Sequence, residues 1–269
     1  MNIVAARRCS GQFGGHERTP ETKAERRVNG GMAGEVALRD GVPFRPACVS
    51  FDLEVGKDNR IHALGAVRGD TGRSLTHSGA SLAAGLAKLD ALADGASFLL
   101  GHNLIAFDLP HLKAAKPDLR LLNLPAVDTL LLSPLAFPRN PYRSLIKHYQ
   151  DGALSSGRRN DPEWDARIAL EVFGDERKAL ATAAPDLLAA WHWLCTPDSP
   201  GRDRALDEFF RHVRQARRPS QTEARAAIGR RLENTACATQ ARETIADAAT
   251  FGWPLAYALA WLSVAGGNS

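Results

Sequence analysis

The chain of 269 residues has few cysteines, and none of them form close pairs. Its four cysteines, Cys9, Cys48, Cys195 and Cys237, are widely spaced and include no C-x-x-C pair. Zinc knuckles and disulfide scaffolds both need cysteines at short, regular spacings, so neither is expected. We expect a protein of a reducing compartment, the cytoplasm.

Long apolar segments are also missing. The N-terminus turns polar and basic after six residues, which is not typical of a secretory signal peptide. The longest apolar run, residues 251–265, contains Gly252 and Pro254 and falls short of the roughly 20 residues that cross a bilayer. We predict a buried helix there and no membrane partner.

Several motifs that would assign a function directly are absent. The sequence contains no phosphate-binding G-x-x-x-x-G-K-[ST], no G-x-S-x-G nucleophile motif and no Cys/His metal spacing. ATP use by this chain is therefore not supported. The tryptophans of the C-terminal third are expected to be core residues rather than base-stacking platforms. These are Trp191, Trp193, Trp253 and Trp261.

Basic residues are concentrated near the C-terminus, although the formal net charge is only +4. Between residues 211 and 231, seven arginines stand against a single acid, Glu223. A nucleic-acid backbone is one partner that such a segment could bind. A solvated helix surface in an arginine-rich protein explains the same pattern, and charge alone does not separate the two.

The order of predicted elements indicates a mixed α/β sheet. CVSFDLEV and RIHALGAV are strand-like runs separated by a turn at residues 56–59, and RSLTHS is a third candidate strand. Leucines at spacings of three and four predict a helix over residues 81–92. Further along, ASFLLGH and the start of LPAVDTLLL are strand-like, and Asp161-Pro162 is a helix start. We expect a flexible extension over residues 1–45, an α/β domain over 46–198 and a helical segment over 199–269.

The strand VSFDLEV carries two acids at Asp52 and Glu54. Residues two apart on a strand point to the same face, so the two carboxylates stand about 6 to 7 Å apart at their Cα atoms. A divalent cation such as Mg²⁺ is the usual way to hold such a pair together. An edge strand with one wet face would explain the pair equally well.

Two further acids, Asp108 and Asp165, are candidates for a functional site. Asp108 ends the run LLGHNLIAFD, which leads from a strand into a helix, and Asp165 lies in the predicted helix after Pro162. Asp108 at a helix start is also an ordinary capping residue. Asp165 is also consistent with a solvent-facing acid, because Asp161, Glu163 and Glu171 lie nearby.

Taken together, the acids resemble the motifs of the DnaQ-like 3′-5′ exonucleases, a DEDD family with a ribonuclease-H-like fold. The first motif is D-x-E on a strand, the second is the pattern in HNLIAFDLPHL, and the third ends in D-A on a late helix. The matching residues are Asp52 and Glu54, then Asn103, Phe107, Asp108 and Leu112, then Asp165 and Ala166. The resemblance covers roughly residues 47–175, and the text from residue 124 onwards looks like exonuclease domains attached to RecQ-like helicases. It implies a five-stranded mixed sheet flanked by helices, with Asp128 as a structural residue.

The resemblance implies a metal-dependent 3′-5′ exonuclease acting on DNA, or on RNA, with a free 3′ end. Two Mg²⁺ or Mn²⁺ ions would be held by Asp52, Glu54, Asp108 and Asp165. One ion would activate water, and both would stabilise the charge that grows on the scissile phosphate. A helicase, fused or separate, is the implied partner. The residues expected near the terminal nucleotide are Leu53, Val55, His102, Asn103 and Phe107.

One part of the family pattern is missing. The family places a His five residues, or a Tyr four residues, before the last Asp, and here these positions hold Asn160 and Asp161. An amide can orient water but cannot accept its proton at neutral pH. His148 is the nearest upstream histidine, and it is the candidate to reach in from the preceding loop.

This departure leaves two other functions open. The chain could be a nucleic-acid-binding module without catalysis, as Asn160 suggests. Alternatively, it could be an interaction domain that recruits a helicase or a defence partner through its terminal segments. Mn²⁺-dependent nucleotide release would separate the exonuclease from both, and salt-sensitive strand binding without release would identify the first.

Overall fold

A hairpin of two long strands begins the folded region of the protein. The computed structural model describes residues 45–79, 81–140, 161–197, 204–233 and 236–265. Strands β1, Cys48–Val55, and β2, Ile61–Arg68, pair in antiparallel register. Between them, the backbone N–H of Asn59 donates to the carbonyl of Gly56 at 2.9 Å, and Asn59 adopts a φ of 63°. The hairpin predicted from the sequence is therefore confirmed.

Three more strands complete a mixed five-stranded sheet. They are β3, Ser74–Ser78, β4, Phe98–Gly101, and β5, Ala126–Asp128. The order across the sheet is β3-β2-β1-β4-β5. The β3-β2-β1 part is antiparallel, whereas β4 and β5 continue the sheet in parallel. The predicted mixed α/β class is confirmed, and β1 lies at the centre of the sheet.

Helices follow the strands and then dominate the second half of the chain. Before residue 141 these are α1, Leu82–Leu92, α2, Leu109–Ala115, and α3, Thr129–Ala136, with a π-type turn at Leu104–Asp108 and a 3₁₀ turn at Arg120–Asn123. From residue 161 they are α4, Pro162–Ala181, α5, Pro185–Cys195, α6, Arg204–Arg214, and α7, Gln221–Leu232. The last are α8, Ala238–Ala246, α9, Ala248–Phe251, and α10, Trp253–Ala265.

The two faces of β1 face different hydrophobic cores. Val49, Phe51 and Leu53 pack in a core that also contains Leu86 and Leu89 of α1. On the other face, Cys48 belongs to a core built with helices α3 to α7 and α10. Side chains alternate along a strand, so Ser50, Asp52 and Glu54 share the face of Cys48. The acids of β1 therefore point towards the helices of the second half of the chain.

The helices after residue 203 share this second core with the sheet. Phe210 of α6 and Ile228 of α7 are fully buried in the same cluster as Phe173 of α4. The indole Nε1 of Trp191 donates to the carbonyl of Ala256 at 2.9 Å, which joins α5 to α10. All described residues belong to one compact unit. The domain boundary predicted at 198/199 falls among residues 198–203, which lie outside those described.

The prediction of a single buried helix over the apolar run near the C-terminus is wrong. It is divided at Gly252, which has a φ of 48°, into α9 and α10. Leu259 is buried, but Phe251 and Trp261 are 45% and 57% exposed. The prediction that tryptophans lie in the core holds for Trp191 and Trp193 and fails for Trp261. None of the helices in the described part of the chain combines the length and apolarity that a membrane-spanning segment needs.

Candidate metal centre

Three half-buried carboxylates meet above the centre of the sheet. One side-chain oxygen from each of Asp52, Glu54 and Asp165 lies within 4.8 Å of the other two. Asp52 pairs across the hairpin with Gly65, and Glu54 pairs with Ala63. Small residues thus stand opposite both acids of β1, which leaves room above the sheet for a third acid from α4. The predicted encounter of these three acids is present in the structure.

Helix α4 delivers Asp165 because its first turn is fixed against the sheet. Asp161 is the N-cap, and its carboxylate accepts a hydrogen bond from the backbone N–H of Trp164 at 3.1 Å. A Cβ added at Gly65 would lie 2.0 Å from the backbone nitrogen of Glu163, so only glycine allows this approach. The predicted helix start at Asp161-Pro162 is confirmed.

A buried hydrogen bond fixes the same helix one residue after Asp165. The Ser50 hydroxyl donates to the carbonyl of Ala166 at 2.8 Å. Ser50 lies two residues before Asp52 on the same face of β1 and is fully buried. Both ends of the contact therefore lie within two residues of a cluster carboxylate. This bond sets the height of α4 above the sheet.

Asp108 lies beside the cluster at the end of the π-type turn. Its side chain is 1% exposed, and Oδ1 accepts a hydrogen bond from the backbone N–H of Leu53 at 3.0 Å. It makes no side-chain capping bond to α2, so the simple capping role is not what the structure shows. Asp108 is not among the three carboxylates that meet within 4.8 Å, and its role as a metal ligand stays a prediction.

Burial raises the pKa values of three of these four acids, and neighbouring negative charges add to the effect at Asp52 and Asp165. Burial, followed by the charges of Asp108, Asp165 and Glu54, raises the pKa of Asp52 to about 8. Burial also raises the pKa of Asp108 to about 7. For Asp165, burial and the charges of Glu54 and Asp161 raise the pKa to about 6. Ionising Asp52, Asp108 and Asp165 together is unfavourable in the absence of a cation.

These residues fit a hard divalent cation. Every donor in the cluster is a carboxylate oxygen, which is the ligand type that Mg²⁺, Mn²⁺ and Ca²⁺ prefer. A bound cation would favour the ionised forms that burial and mutual repulsion now oppose. Comparisons of the chain with protein-family models, curated proteins and solved structures found no match.

Asp128 fixes the loop that leads to Asp108, which confirms the structural role predicted for it. Its carboxylate accepts hydrogen bonds from the backbone N–H groups of Asn103, Ile105 and Leu130, at 2.9 to 3.0 Å. The side chain is 4% exposed, and burial raises its pKa. One acid thus connects the end of β5, the cap of α3 and the turn that carries Asp108. The sequence signal was an acid placed directly after a short apolar strand.

The residues predicted to touch a nucleotide divide into two groups. His102, Asn103 and Phe107 lie in or beside the turn that carries Asp108, and Phe107 is 38% exposed. The His102 ring nitrogen Nδ1 is 2.9 Å from the Thr129 hydroxyl. Asn103 has a φ of 66°, a left-handed conformation that reverses the chain after β4. This group stays available for substrate contact.

The second group requires correction. The Leu53 side chain is 4% exposed and packs in the core on the opposite face of β1, where Val55 is packed as well. Alternation along the strand turns both side chains away from Asp52 and Glu54. Leu53 instead acts through its backbone N–H, which holds Asp108. His148 and Asn160, the two candidates for handling the water proton, lie outside the described residues.

Two rings beside motif residues were not expected from the sequence. Trp164 is 37% exposed and directly precedes Asp165. His111 packs against Phe107 with ring centroids 4.6 Å apart, and its Nδ1 donates to the Phe107 carbonyl at 2.7 Å. Both rings lie one helical turn or less from a motif residue. That proximity was the signal available in the sequence.

Proposed function

We propose that the protein is a metal-dependent 3′-5′ exonuclease that hydrolyses the terminal phosphodiester bond of a nucleic-acid strand. The observation that carries the proposal is the convergence of Asp52, Glu54 and Asp165 from β1 and α4, with Asp108 held beside them by the backbone of β1. A ribonuclease-H-like arrangement fits the mixed sheet and its strand order. DNA with a free 3′ end is the preferred substrate, and RNA is the alternative.

The metal ions we propose are Mg²⁺ or Mn²⁺, two per site. Asp52, Glu54 and Asp165 would hold them, and Asp108 would complete the set of ligands. When bound, such ions supply an activated water and stabilise negative charge on the phosphate. The chain's own contribution is to hold the carboxylates at fixed positions, through the Ser50–Ala166 hydrogen bond and the Asp108 contact to β1.

The proton of the attacking water needs an acceptor, and Asp161 is poorly placed to be one. Its carboxylate caps α4 by accepting from the Trp164 backbone, so taking up a proton would weaken the start of the helix that carries Asp165. His148 remains our candidate for this step, and Asn160 could orient the water. Replacing His148 with Ala and finding full turnover would eliminate that role.

The same observation favours a second candidate, a nucleic-acid-binding module without catalysis. A site with four carboxylates but no effective base would bind cations and the strand yet turn over slowly. Binding that weakens steeply with salt, without shortening of the strand, is the result that this candidate predicts. A helicase partner is compatible with either candidate.

The decisive experiment follows a 5′-labelled strand over time. Single-stranded DNA and RNA are incubated with the protein in Mg²⁺, Mn²⁺ or EDTA, and the products are separated by length. We expect shortening from the 3′ end in either metal, none in EDTA, and a loss of at least 100-fold in Asp52→Ala and Asp165→Asn. Asp118→Asn is the matched control, because Asp118 is an exposed acid outside the cluster. Shortening that persists in EDTA or in Asp52→Ala would refute the proposed role of the cluster.

A further inference from the structure

An open cleft of about 610 Å³ lies beside the carboxylate cluster. One wall is formed by Ala63 of β2 with Thr76 and Ser78 of the edge strand β3, and the other by the first turns of α4. Ala63 pairs with Glu54 on one side and with Ser78 on the other. Residues paired across antiparallel strands share a face of the sheet. The cleft therefore continues directly from the cluster towards β3.

The charged side chains among the described residues of the cleft are already engaged in hydrogen bonds. Glu163 accepts hydrogen bonds from Thr76 and from Arg167, at 2.6 Å for the latter. The Glu163 carboxylate is therefore paired within the wall of the cleft. Asp161 is engaged with the backbone of α4. Among the described residues that line the cleft, one arginine stands against two carboxylates, so these residues favour an uncharged planar group over a phosphate.

Trp164 supplies a flat surface for such a group. Its indole lines the cleft and is 37% exposed, and its backbone is held in the first turn of α4 by the Asp161 cap. Aromatic side chains on which single-stranded bases stack are a general mode of recognition that tolerates any base. The Ser78 hydroxyl on the opposite wall can contact the edge of a base. Trp164 directly precedes Asp165, which sets the base next to the cluster.

The order of elements fixes which nucleotide this cleft would receive. Phe107 and Asn103 follow β4, on one side of β1, whereas the cleft lies over β2 and β3, on the other side. The carboxylates of β1 lie between them. A strand whose terminal nucleotide contacts Phe107 and whose scissile phosphate lies at the cluster can extend its next nucleotide over β2 towards β3.

We infer that the Trp164 cleft binds the base of the penultimate nucleotide, on the 5′ side of the bond that is cut. The inference rests on the proposed exonuclease function and extends it by a specificity site. An enzyme with this site would cleave a strand more efficiently than an ester of a single nucleotide. The first turn of α4 would then have two roles. It positions the carboxylate of Asp165, and it stacks the neighbouring base on Trp164.

The test compares a substrate that has a penultimate base with one that lacks it. The first is a 5′-labelled oligonucleotide, and the second is the methyl ester of thymidine 5′-monophosphate, which has a single nucleoside and no second ring. We expect Trp164→Ala to lower the ratio of kcat/KM for the oligonucleotide to kcat/KM for the ester about tenfold, mainly through KM. Trp164→Phe should restore most of the ratio. Trp261→Ala, which removes an exposed tryptophan of α10, should leave it unchanged.

A double-mutant cycle makes the assignment specific to one nucleotide. An abasic site at the penultimate position should cost the parent protein about tenfold and the Trp164→Ala variant almost nothing, because the two changes remove the same contact. Independent, multiplicative effects of the two changes would overturn the inference, as would coupling to the terminal base instead. A parent protein that cleaves neither substrate would overturn the proposed function and the inference with it, whereas cleavage of both without coupling overturns the inference alone.

Discussion

At the scale of single residues, burial and mutual repulsion of the cluster acids reduce the stability of the metal-free fold. Asp52 lies among three other carboxylates and is partly removed from water, an arrangement that favours its protonated form. Asp128 does the opposite, because it uses its charge to accept three backbone hydrogen bonds. One aspartate therefore weakens the metal-free fold and another supports it. Replacing each should change stability in opposite directions.

Replacing Asp52 with Asn should abolish activity and stabilise the metal-free protein. The folded-state pKa of about 8 exceeds the ordinary value of 3.8, so the folded protein holds a proton that the unfolded chain releases over this range. Stability in EDTA should therefore fall as the pH rises from about 4 to 8. At pH 8 we expect Asp52→Asn to raise the free energy of unfolding by about 1–3 kcal/mol, and at pH 4 to change it little. Urea unfolding in EDTA measures both, and a loss of stability at pH 8 would contradict this account.

Replacing Asp128 with Ala should destabilise the protein and reduce its activity. Three backbone N–H groups, those of Asn103, Ile105 and Leu130, would lose their acceptor, at a cost of about 2–4 kcal/mol. The turn that carries Asp108 would loosen, so nucleotide release should fall even where the protein remains folded. Asp118→Ala, at an exposed position, is the control and should change neither quantity. If the Asp128→Ala variant is destabilised but keeps wild-type activity, the position of the turn does not depend on the hydrogen bonds to Asp128.

At the scale of elements, the sequence predicts most of the secondary structure but not how α4 contacts the sheet. The hairpin, α1 and the start of α4 follow from alternation, leucine spacing and the Asp161-Pro162 cap. The π-type turn at Leu104–Asp108 was expected to be ordinary chain before a helix, because periodicity does not distinguish a widened turn from a regular one. The contact at Gly65 joins residues far apart in the chain, which no local pattern encodes.

The same limit explains which site residues the sequence could and could not supply. The three acids of the cluster were found because spacing on a strand and a helix fixes their faces. The buried position of Leu53 was missed, although the alternation that placed Asp52 and Glu54 on one face also places Leu53 on the other. The cleft at Trp164 depends on β3 lying beside α4, and this adjacency is a property of the sheet order.

Replacing Gly65 with Ala should move α4 away from the cluster. The added Cβ would lie 2.0 Å from the Glu163 backbone nitrogen, so the helix or the strand must shift. We expect a loss of about 1–3 kcal/mol in the free energy of unfolding, and a loss of activity larger than the remaining folded fraction explains. Gly229→Ala in α7 is the matched control. Its Cβ would meet Ile245 at an ordinary 3.5 Å, and alanine should stabilise that helix by about 0.5–1 kcal/mol.

At the scale of the whole molecule, the C-terminal helices complete the core on which the site depends. Phe209 of α6 contacts Phe173 of α4 with ring centroids 5.2 Å apart. His192 of α5, fully buried, lies 2.8 Å from Asp207 of α6 and 2.9 Å from Arg214. The helix that carries Asp165 is therefore packed against the sheet on one side and against later helices on the other.

Ending the chain after residue 197 should abolish cooperative folding. The truncation would expose Phe173, Trp191 and Leu194, which are buried in the shared core. We expect a protein that binds a hydrophobic dye and shows no sharp thermal transition. A chain ending after Ala265 is the control and should unfold cooperatively. A truncated chain with a sharp transition and metal-dependent activity would instead establish an independent domain over residues 46–197.

The hydrogen bond between Ser50 and Ala166 connects segments that are 116 residues apart, and its helix is supported by residues that come later still. A ribosome therefore delivers Asp52 and Glu54 long before Asp165, and it delivers the helices that pack against the helix of Asp165 later still. A growing chain holds no assembled cluster. If the cluster cuts nucleic acid, the messenger and ribosomal RNA around the nascent chain are safe from it until the helices after residue 203 have been made.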